Sequence, residues 1–395
     1  MPTTSPSHAS LFTSLYPMHH GVLKNGHKLD DSFLTMAEIF KEKGYKTAGI
    51  VSTNVHFKIG NIDQGFEFFN EPDPNQIKSL YRQAQDTINV AIKWLDTTNK
   101  EDKLFLWIHL YDPHIPLQPP ESYYNKMKDL QSGEFSDFLI NKQHIDLNFY
   151  NNDKKKMLNA INLYDAEILY ADTEIQRFFD YYQTKKTDSK TLWVITSDHG
   201  EGLGNHNWWG HGKYIYNEQL RVPLLFYFSS GIGKGKTIEN LVEIIDIFPT
   251  ILETINGKSW KPPLIDGESL VPLILSSKKT FFEKKFAFCQ RRIFDTVPPS
   301  VINPQTTQYE KGEKFTLQSL EYKYIYHKEG EDAFYNLKND PYELKNIINS
   351  GSDEEQNLKK ALYTKIAELK KNLFINPSTV DTETMESLKS LGYVQ

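Results

Sequence analysis

The sequence has 395 residues, enough to bury a large core in two or three lobes, and 13% of them are aromatic, which excludes a disordered chain. It carries 45 Lys and Arg against 51 Asp and Glu, a formal net charge of −6, so no basic excess points to nucleic acid or to an anionic membrane surface. The single cysteine, Cys289, excludes an internal disulfide framework and a cysteine-based metal site.

No apolar run reaches the roughly 18 residues that a membrane-spanning helix needs, so the sequence predicts no membrane segment. The first residues also show no basic segment followed by an apolar one, so no signal peptide is predicted in this chain. Neither pattern assigns a compartment, cytoplasmic or periplasmic, and the oligomeric state is equally open.

Helical and strand patterns alternate along the first two thirds of the chain. Helices are predicted where apolar residues recur at helical spacing, and strands where apolar runs end in polar clusters. In chain order these are a helix followed by a strand within 33–50, a helix over 76–99, a strand over 103–112, a helix over 154–183, and strands over 191–200 and 222–228. The alternation predicts an α/β fold with a mostly parallel sheet sandwiched by helices.

The composition changes after roughly residue 276. A charged connector leads to an antiparallel hairpin pattern over 315–330 and to an amphipathic helix pattern over 354–374. We therefore expect an α/β domain over residues 1–276 and a smaller α+β lobe over residues 277–395.

Hydroxyl and imidazole side chains cluster at the very start of the chain, in Thr4-Ser5-Pro6-Ser7-His8. A hydroxyl before a proline turn and a helix start lies at a helix N-terminus, where the free N–H groups and the helix dipole favour an anion. Such a hydroxyl can attack a phosphoryl or sulfuryl centre if a metal lowers its pKa. The alternative is an ordinary helix start with Ser or Thr as its N-cap.

Two imidazoles and a carboxylate follow the strand over 103–112. His109, Asp112 and His114 lie at its end, where a proline-rich loop begins. Open α/β sheets bind ligands at the carboxyl ends of their strands, and His is the natural general acid near neutral pH. A structural role for these histidines is the open alternative.

The strongest pattern is Asp198-His199, which comes directly after a buried strand and opens a Gly-rich loop. A carboxylate next to an imidazole suits a hard or borderline divalent cation. His206, His211 and Lys213 follow within the same loop and are placed to neutralise or protonate an anionic ester. The alternative is a solvated loop without a ligand.

These segments together resemble the sulfatase family of the alkaline-phosphatase superfamily. The family nucleophile motif, Cys or Ser followed by any residue and then Pro-Ser-Arg, is similar to Thr4-Ser5-Pro6-Ser7-His8. Further similar segments are "SDHGEGLGNH", "GHGKYIYNEQLRVPLLF", "VEIIDIFPTILETIN", "IDGESLVPLI" and "EYKYIYHKEGEDAFYNLKNDPYELKNI", with "SLKSLGYV" near the end. They cover nearly the whole chain in the family's order.

The resemblance implies a role for each matching residue. Thr4 takes the nucleophile position, and His8 replaces the Arg that supports the nucleophile in sulfatases. Asp198 and His199 are implied as ligands of a divalent metal, with Ca²⁺ favoured over Mn²⁺, Mg²⁺ or Zn²⁺. His114 is implied as the leaving-group acid or a contact of the ester oxygen, and His211 as a catalytic residue that contacts the substrate. His109 and Lys213 are implied as substrate-binding residues.

Three positions depart from the family pattern. Thr4 cannot become the formylglycine that sulfatases make from Cys or Ser, and it resembles instead the unmodified hydroxyl nucleophile of superfamily phosphodiesterases. Ser14 stands where Gly is usual. The family's first strand, which carries an Asp-Asp pair of metal ligands, precedes the nucleophile, so we expect the sheet of this chain to lack that strand.

The expected function is metal-dependent hydrolysis of a sulfate ester, on a small molecule or a glycan. The alternatives are hydrolysis of a phosphate or phosphonate ester by the same residues and a catalytically inactive truncated homologue. The sequence predicts no nucleic-acid partner.

Overall fold

A computed structural model describes residues 1–53, 57–73, 81–130, 152–186, 190–257, 264–275, 284–291 and 312–374. Its helices are α1 (Thr4–Thr13), α2 (Pro17–His20), α3 (Met36–Glu42), α4 (Ala84–Asp96), α5 (Glu121–Leu130), α6 (Lys154–Lys185), α7 (Asn217–Leu220), α8 (Ile247–Asn256), α9 (Val271–Leu275) and α10 (Asp353–Lys371). Its strands are β1 (Lys46–Val51), β2 (Phe68–Asn70), β3 (Leu104–His109), β4 (Leu192–Thr196), β5 (Gly202–Leu203), β6 (Trp209–Gly210), β7 (Leu224–Phe228), β8 (Ala287–Gln290), β9 (Lys314–Gln318), β10 (Tyr322–His327) and β11 (Ala333–Asn336).

A parallel sheet in the order β2-β1-β3 brings candidate site residues to one edge. Thr35 and Glu38 form a capping box that starts α3, and Gly44, at a φ of +75°, turns the chain from this helix into β1. The register pairs Val51 with His109, so β1 and β3 end at the same level. The predicted parallel α/β architecture is confirmed by this arrangement.

The strands β4 and β7 pair with each other in antiparallel orientation, with Leu192 opposite Phe228 and Thr196 opposite Leu224. They add an antiparallel element to a sheet architecture that the sequence predicts as mostly parallel. β4 leads directly to Asp198, as its apolar run predicts. The ends of β3 and β4 therefore supply two of the three predicted polar clusters.

The helix α1 is part of the core, since all ten of its residues are buried. Phe12 packs edge-to-face against Trp107 of β3, with ring centroids 4.9 Å apart. One hydroxyl of the helix bonds within it: Thr13 donates to the Ala9 carbonyl at 2.7 Å. Ser14, which follows the helix, donates to the Ile245 carbonyl at 2.6 Å. Packing on this scale fixes the helix start relative to the sheet.

The C-terminal lobe is an antiparallel sheet in the order β11-β10-β9-β8. α10 covers it with a buried stripe of four apolar residues, Leu358, Leu362, Ile366 and Leu369. Tyr16 and Met18 pack into the same cluster and join the lobe to the segment after α1. The predicted hairpin and late helix are confirmed, while the predicted boundary at residue 276 lies outside the described residues and stays a prediction.

A buried ion pair inside this lobe holds Glu343, the residue that reaches across to the loop before β7. Lys323 Nζ of β10 lies 2.7 Å from Glu343 Oε1, and the two side chains are fully buried. Glu343 Oε2 also accepts a hydrogen bond from the Asn217 N–H at 2.6 Å, at the start of α7. Glu343 is the last residue of the Asp-Pro-x-Glu segment, so that motif acts here as a tether between the lobe and the loop.

Among the residues described here, no helix is long and apolar enough to cross a bilayer.

We predict that Glu343→Gln lowers the free energy of unfolding by about 3–5 kcal/mol, because it leaves the Lys323 ammonium buried without its counter-charge. Urea denaturation followed by circular dichroism measures the change. Glu321→Gln is the matched control, since its partner Lys338 and Glu321 itself are exposed, and it should change stability by less than about 0.5 kcal/mol. Equal effects of the two substitutions would contradict the tether.

Candidate functional site

The site begins at the N-terminus of α1, where Thr4 is the first helical residue. Thr3 occupies the N-cap position with extended backbone, and no side-chain capping bond forms among the described residues. The Ser5 N–H donates instead to Asn25 Oδ1 at 2.9 Å, and Pro6 carries no N–H. The ordinary N-cap alternative is therefore not what these hydroxyls do. The helix start offers Thr4 and a partial positive charge at the same point.

Asp198 lies against this helix start. The Ser7 hydroxyl donates to the Asp198 carbonyl at 2.7 Å, a bond that joins residues 191 positions apart. The Asp198 carboxylate oxygen Oδ2 lies 3.7 Å from His8 Nδ1 and 3.5 Å from His199 Nε2. The structure thus brings the first and third predicted clusters together.

Burial by itself raises the pKa of Asp198, but the imidazoles of His199, His8, His109 and His211 outweigh it and hold the pKa well below its ordinary value. Burial lowers the pKa of His8 and of His199, and Asp198 offsets only part of that effect. The result is one ionised carboxylate among imidazoles that are neutral near pH 7.

Gly200 follows this turn because no side chain fits there. A Cβ at this position would collide with the Glu218 carbonyl, and the Gly200 N–H donates to the Gln219 carbonyl at 2.9 Å. The close approach folds the Gly-rich loop back on α7.

His109 lies behind His8, with ring centroids 5.3 Å apart, and contacts the rings of Phe57 and Trp107. Burial, together with the neighbouring His8, lowers its pKa to about 3. Its Nδ1 has no hydrogen-bond partner within the described part of the chain. His109 is thus a neutral ring on the inner side of His8.

His114, His199 and His211 form an imidazole group, the name used below for these three rings. His199 and His211 stack with centroids 3.9 Å apart, and His114 meets His211 edge-to-face at 4.9 Å. The ring nitrogens Nδ1 of His114 and His199 donate to the carbonyls of Ile115 and Gly200, at 2.6 and 2.9 Å. In the neutral rings this leaves the Nε2 lone pairs available.

The protonation of this group differs from ring to ring. Burial and the neighbouring His211 lower the pKa of His114 to about 4. His211 Nδ1 lies 3.1 Å from Glu201 Oε1, a carboxyl whose pKa burial raises to about 7. His211 therefore has a carboxyl directly at its Nδ1.

The other two predicted residues of the loop point elsewhere. Lys213 Nζ lies over the rings of Trp208 and Tyr214, at 4.3 and 4.7 Å from their centroids. Burial and the nearby Arg291 lower its pKa to about 8. His206 bonds to Glu218 at 2.9 Å and stacks on Tyr216, so it braces the loop.

Sequence reasoning missed Ser7 and Glu201 as members of the site. Each stands within a quoted motif, but a hydroxyl that binds a backbone carbonyl and a carboxyl that faces a histidine ten residues away leave no spacing signal. Their contacts depend on how α1 meets the turn after β4.

The geometry does not complete a metal site. In the part of the chain that the structure describes, no three His, Cys, Asp or Glu side chains converge in a group that could hold a metal ion. Asp198 and His199 are adjacent and supply one carboxylate and one imidazole.

Comparison with known families matches two regions of the chain. The family described as "Sulfatase" matches residues 1–257, and the one described as "N-sulphoglucosamine sulphohydrolase, C-terminal" matches residues 204–372.

Two curated relatives illustrate the range of similarity. An arylsulfatase of Clostridium perfringens is 26% identical over 281 residues, which cover 68% of this chain but only 54% of that protein. A multifunctional alkaline phosphatase superfamily protein, PehA of Trinickia caryophylli, is 26% identical over 420 residues, covering 87% of this chain and 80% of that protein.

Solved structures share the fold. One of them is described as bound to its substrate D-glucosamine-2-N,6-O-disulfate. It superposes with a TM-score of 0.72 at 19% identity, and the match covers 95% of this chain and 90% of that chain. The phosphonate monoester hydrolase of Agrobacterium radiobacter superposes with a TM-score of 0.70 at 18% identity, and the match covers 94% of this chain and 87% of that chain.

We predict that Ser7→Ala lowers the free energy of unfolding by about 1–2 kcal/mol, because it removes the donor to the buried Asp198 carbonyl. Ser5→Ala is the matched control two residues away, since the buried Ser5 hydroxyl has no partner in the described structure. It should leave stability within about 0.5 kcal/mol or raise it. Urea midpoints measure both variants, and equal losses would contradict the link between α1 and Asp198.

Proposed function

The chain belongs to the sulfatase family, and from this premise we propose that it hydrolyses a sulfate ester with the Thr4 hydroxyl as nucleophile. The observation that carries the proposal is the position of Thr4 at the start of a buried helix that Ser7 bonds to Asp198. The match spans about half the length of the arylsulfatase relative, so the activity of the whole protein is part of the proposal.

In the proposed mechanism the sulfate oxygens bind at the N-terminus of α1, where the helix dipole favours negative charge. The Thr4 oxygen attacks the sulfur in line, forming an O–S bond while the bond from sulfur to the ester oxygen breaks. The neutral imidazole of His8, beside Asp198, is the candidate acceptor of the Thr4 proton. Asp198 stabilises the imidazolium that results.

The leaving alkoxide takes a proton from His211, whose imidazolium is supported by Glu201. His114 is the proposed contact of the leaving ester oxygen: its neutral Nε2 accepts a hydrogen bond from the alcohol once His211 has protonated that oxygen. His109 backs His8. Water then attacks the sulfur of the Thr4 sulfate, the O–S bond to Thr4 breaks, and hydrogen sulfate leaves. This order uses each imidazole in the protonation state that its surroundings favour.

Members of the sulfatase family are generally metal-dependent, and Asp198 and His199 are the ligands we propose for a divalent cation. Such a cation would supply charge to the ester oxygens and lower the pKa of the Thr4 hydroxyl. Ca²⁺ takes about six to eight oxygen ligands, and one carboxylate does not fit that demand. Mn²⁺, Mg²⁺ and Zn²⁺ are the other candidates. The steps above therefore use only the groups of the chain.

A sulfated amino sugar or a longer glycan is the substrate class we propose, because a neighbour in fold binds a glucosamine disulfate. Lys213 lies on the same loop as His211, on the side facing Trp208 and Tyr214. An ammonium and aromatic faces suit an anionic sugar ring. We assign Lys213 to substrate binding on that basis.

A phosphate or phosphonate ester is the second candidate. Thr4 favours it, because oxidation of a secondary alcohol gives a ketone and not the aldehyde that sulfatases use. A phosphonate monoester hydrolase shares the fold of this chain, and PehA, a relative in sequence, is described as a multifunctional protein of the alkaline phosphatase superfamily. The same attack by Thr4 on phosphorus forms a phosphoryl intermediate.

We predict that Thr4→Ala abolishes ester hydrolysis, a loss of about a thousandfold or more, whereas Thr4→Ser retains activity, because only the hydroxyl attacks. Steady-state assays use an aryl sulfate, an aryl phosphate diester and an aryl phosphonate, with added divalent cation. Ser5→Ala is the control and should keep the native rate.

The outcomes separate the candidates. Turnover of the aryl sulfate supports the first proposal, and turnover of phosphorus esters alone replaces it with the second. A chain that cleaves none of them is the inactive homologue. A fully active Thr4→Ala variant would contradict the role of Thr4.

A further inference from the structure

Two buried carboxyl groups face each other at the loop that carries His114. Asp112 belongs to the loop after β3, and Glu167 belongs to the middle of α6. Their exposures are 4% and 1%. Neither residue takes part in the mechanism proposed above, so their contacts need a separate explanation.

Glu167 contacts both ends of the loop that carries His114. Its Oε1 accepts a hydrogen bond from the Gln118 N–H at 2.6 Å, at the end of the loop. Its carboxyl group also meets that of Asp112, at the start of the loop. His114 lies between these two points, two residues after Asp112 and four before Gln118.

The remaining oxygens of the pair are short of donors. Asp112 Oδ1, Asp112 Oδ2 and Glu167 Oε2 form no well-oriented hydrogen bond with any residue the structure describes. Backbone N–H groups of Asp112 and Ala84 lie near the Asp112 carboxylate and favour its charged form. Two ionised carboxylates in contact repel each other, and buried oxygens without donors are costly. One proton between the two groups removes the charge repulsion and joins two of these three oxygens in a hydrogen bond.

We propose that Glu167 is a positioning residue that holds a proton between itself and Asp112 and thereby fixes the loop of His114. The inference rests on the proposed function, because its effect on the rate passes through His114. It concerns the helix α6, which carries none of the predicted site residues.

The surroundings agree with a protonated Glu167 at neutral pH. Burial, and then the charge of Asp112, raises the pKa of Glu167 to about 8, and burial raises that of Asp112 to about 6. The other charged or titratable groups near the pair are Glu174, Arg177 and Tyr170 of α6 and Asp86 of α4. Arg177 is paired with Glu174 at 2.6 Å, and the negative charge of Glu174 adds to the raised pKa of Asp112.

The stability of the fold depends on pH through Glu167. Glu167 has an ordinary pKa of 4.5 when unfolded and a raised one when folded, so folding takes up a proton between these values. Stability is therefore highest at the acid end of that interval and falls as the pH rises toward about 8. Glutamine has no proton to lose, so Glu167→Gln removes this slope. It also keeps an oxygen for the Gln118 N–H and an N–H for Asp112.

The test compares Glu167→Gln, Glu167→Ala and the exposed α6 control Asp172→Asn in the full chain. Urea midpoints are measured from pH 5 to pH 9, and kcat and KM over the same range on the ester that the native chain cleaves. We expect Glu167→Gln to keep kcat within about threefold of the native value. It should also flatten the fall of the urea midpoint and of kcat as the pH rises. Glu167→Ala should lower kcat by about 10- to 100-fold with a smaller change in KM. Asp172→Asn should match the native chain.

Two results would overturn the proposal: an unfolding profile of Glu167→Gln with the native slope, or equal losses of kcat in the Gln and Ala variants. A native urea midpoint that rises on adding Ca²⁺, and does so less in Glu167→Gln, would show a cation between the carboxyl groups and also overturn it. The unfolding data need no turnover, so failure of the proposed function leaves this test intact.

Discussion

The hydrogen bond from Ser7 to the Asp198 carbonyl is the constraint on which the site depends. It spans 2.7 Å and joins the first turn of α1 to the turn after β4. Because α1 is buried along its whole length, this bond cannot be made or lost without moving core side chains such as Phe12. It sets where Thr4 lies relative to Asp198.

The second constraint is electrostatic. The pKa of Asp198 lies well below its ordinary value because positive charge on any of the imidazoles around it favours the carboxylate, and burial lowers the pKa of His8 and of His199. A pocket of neutral imidazoles around one carboxylate can accept a proton from a hydroxyl without first losing one to water. Glu201, on the far side of the imidazole group, places a carboxyl 3.1 Å from His211 Nδ1. In the proposed mechanism the acid and the base therefore occupy different ends of one cluster.

Much of this could be predicted from sequence because it depends on local pattern. Apolar runs ending in His109 and in Asp198 mark strands whose carboxyl ends carry a site, and the structure confirms those strands. The antiparallel pairing of β4 with β7 has no such local signal, since strand direction depends on the whole chain path. The contacts between the site residues also depend on the chain path and have no local signal, and the roles of these residues stay proposals.

Glu167 illustrates what spacing cannot reveal. It lies in an amphipathic helix, where the sequence does not distinguish a buried carboxyl from an exposed one. Its partner Asp112 is 55 residues earlier in the chain. Only the packing of α6 against the loop after β3 shows that the two meet. Buried acidic residues in helices become informative once their neighbours are known.

The central claim is that the Thr4 oxygen forms a covalent bond to the substrate. Rapid acid quenching during turnover, followed by peptide mass spectrometry, tests it most directly. The account predicts that the peptide containing Thr4 gains the mass of one SO₃ group from a sulfate ester, or of the phosphoryl or phosphonyl group from a phosphorus ester, and that Thr4→Ser carries the same adduct. Turnover without any adduct on this peptide, or an adduct on another residue, would contradict it.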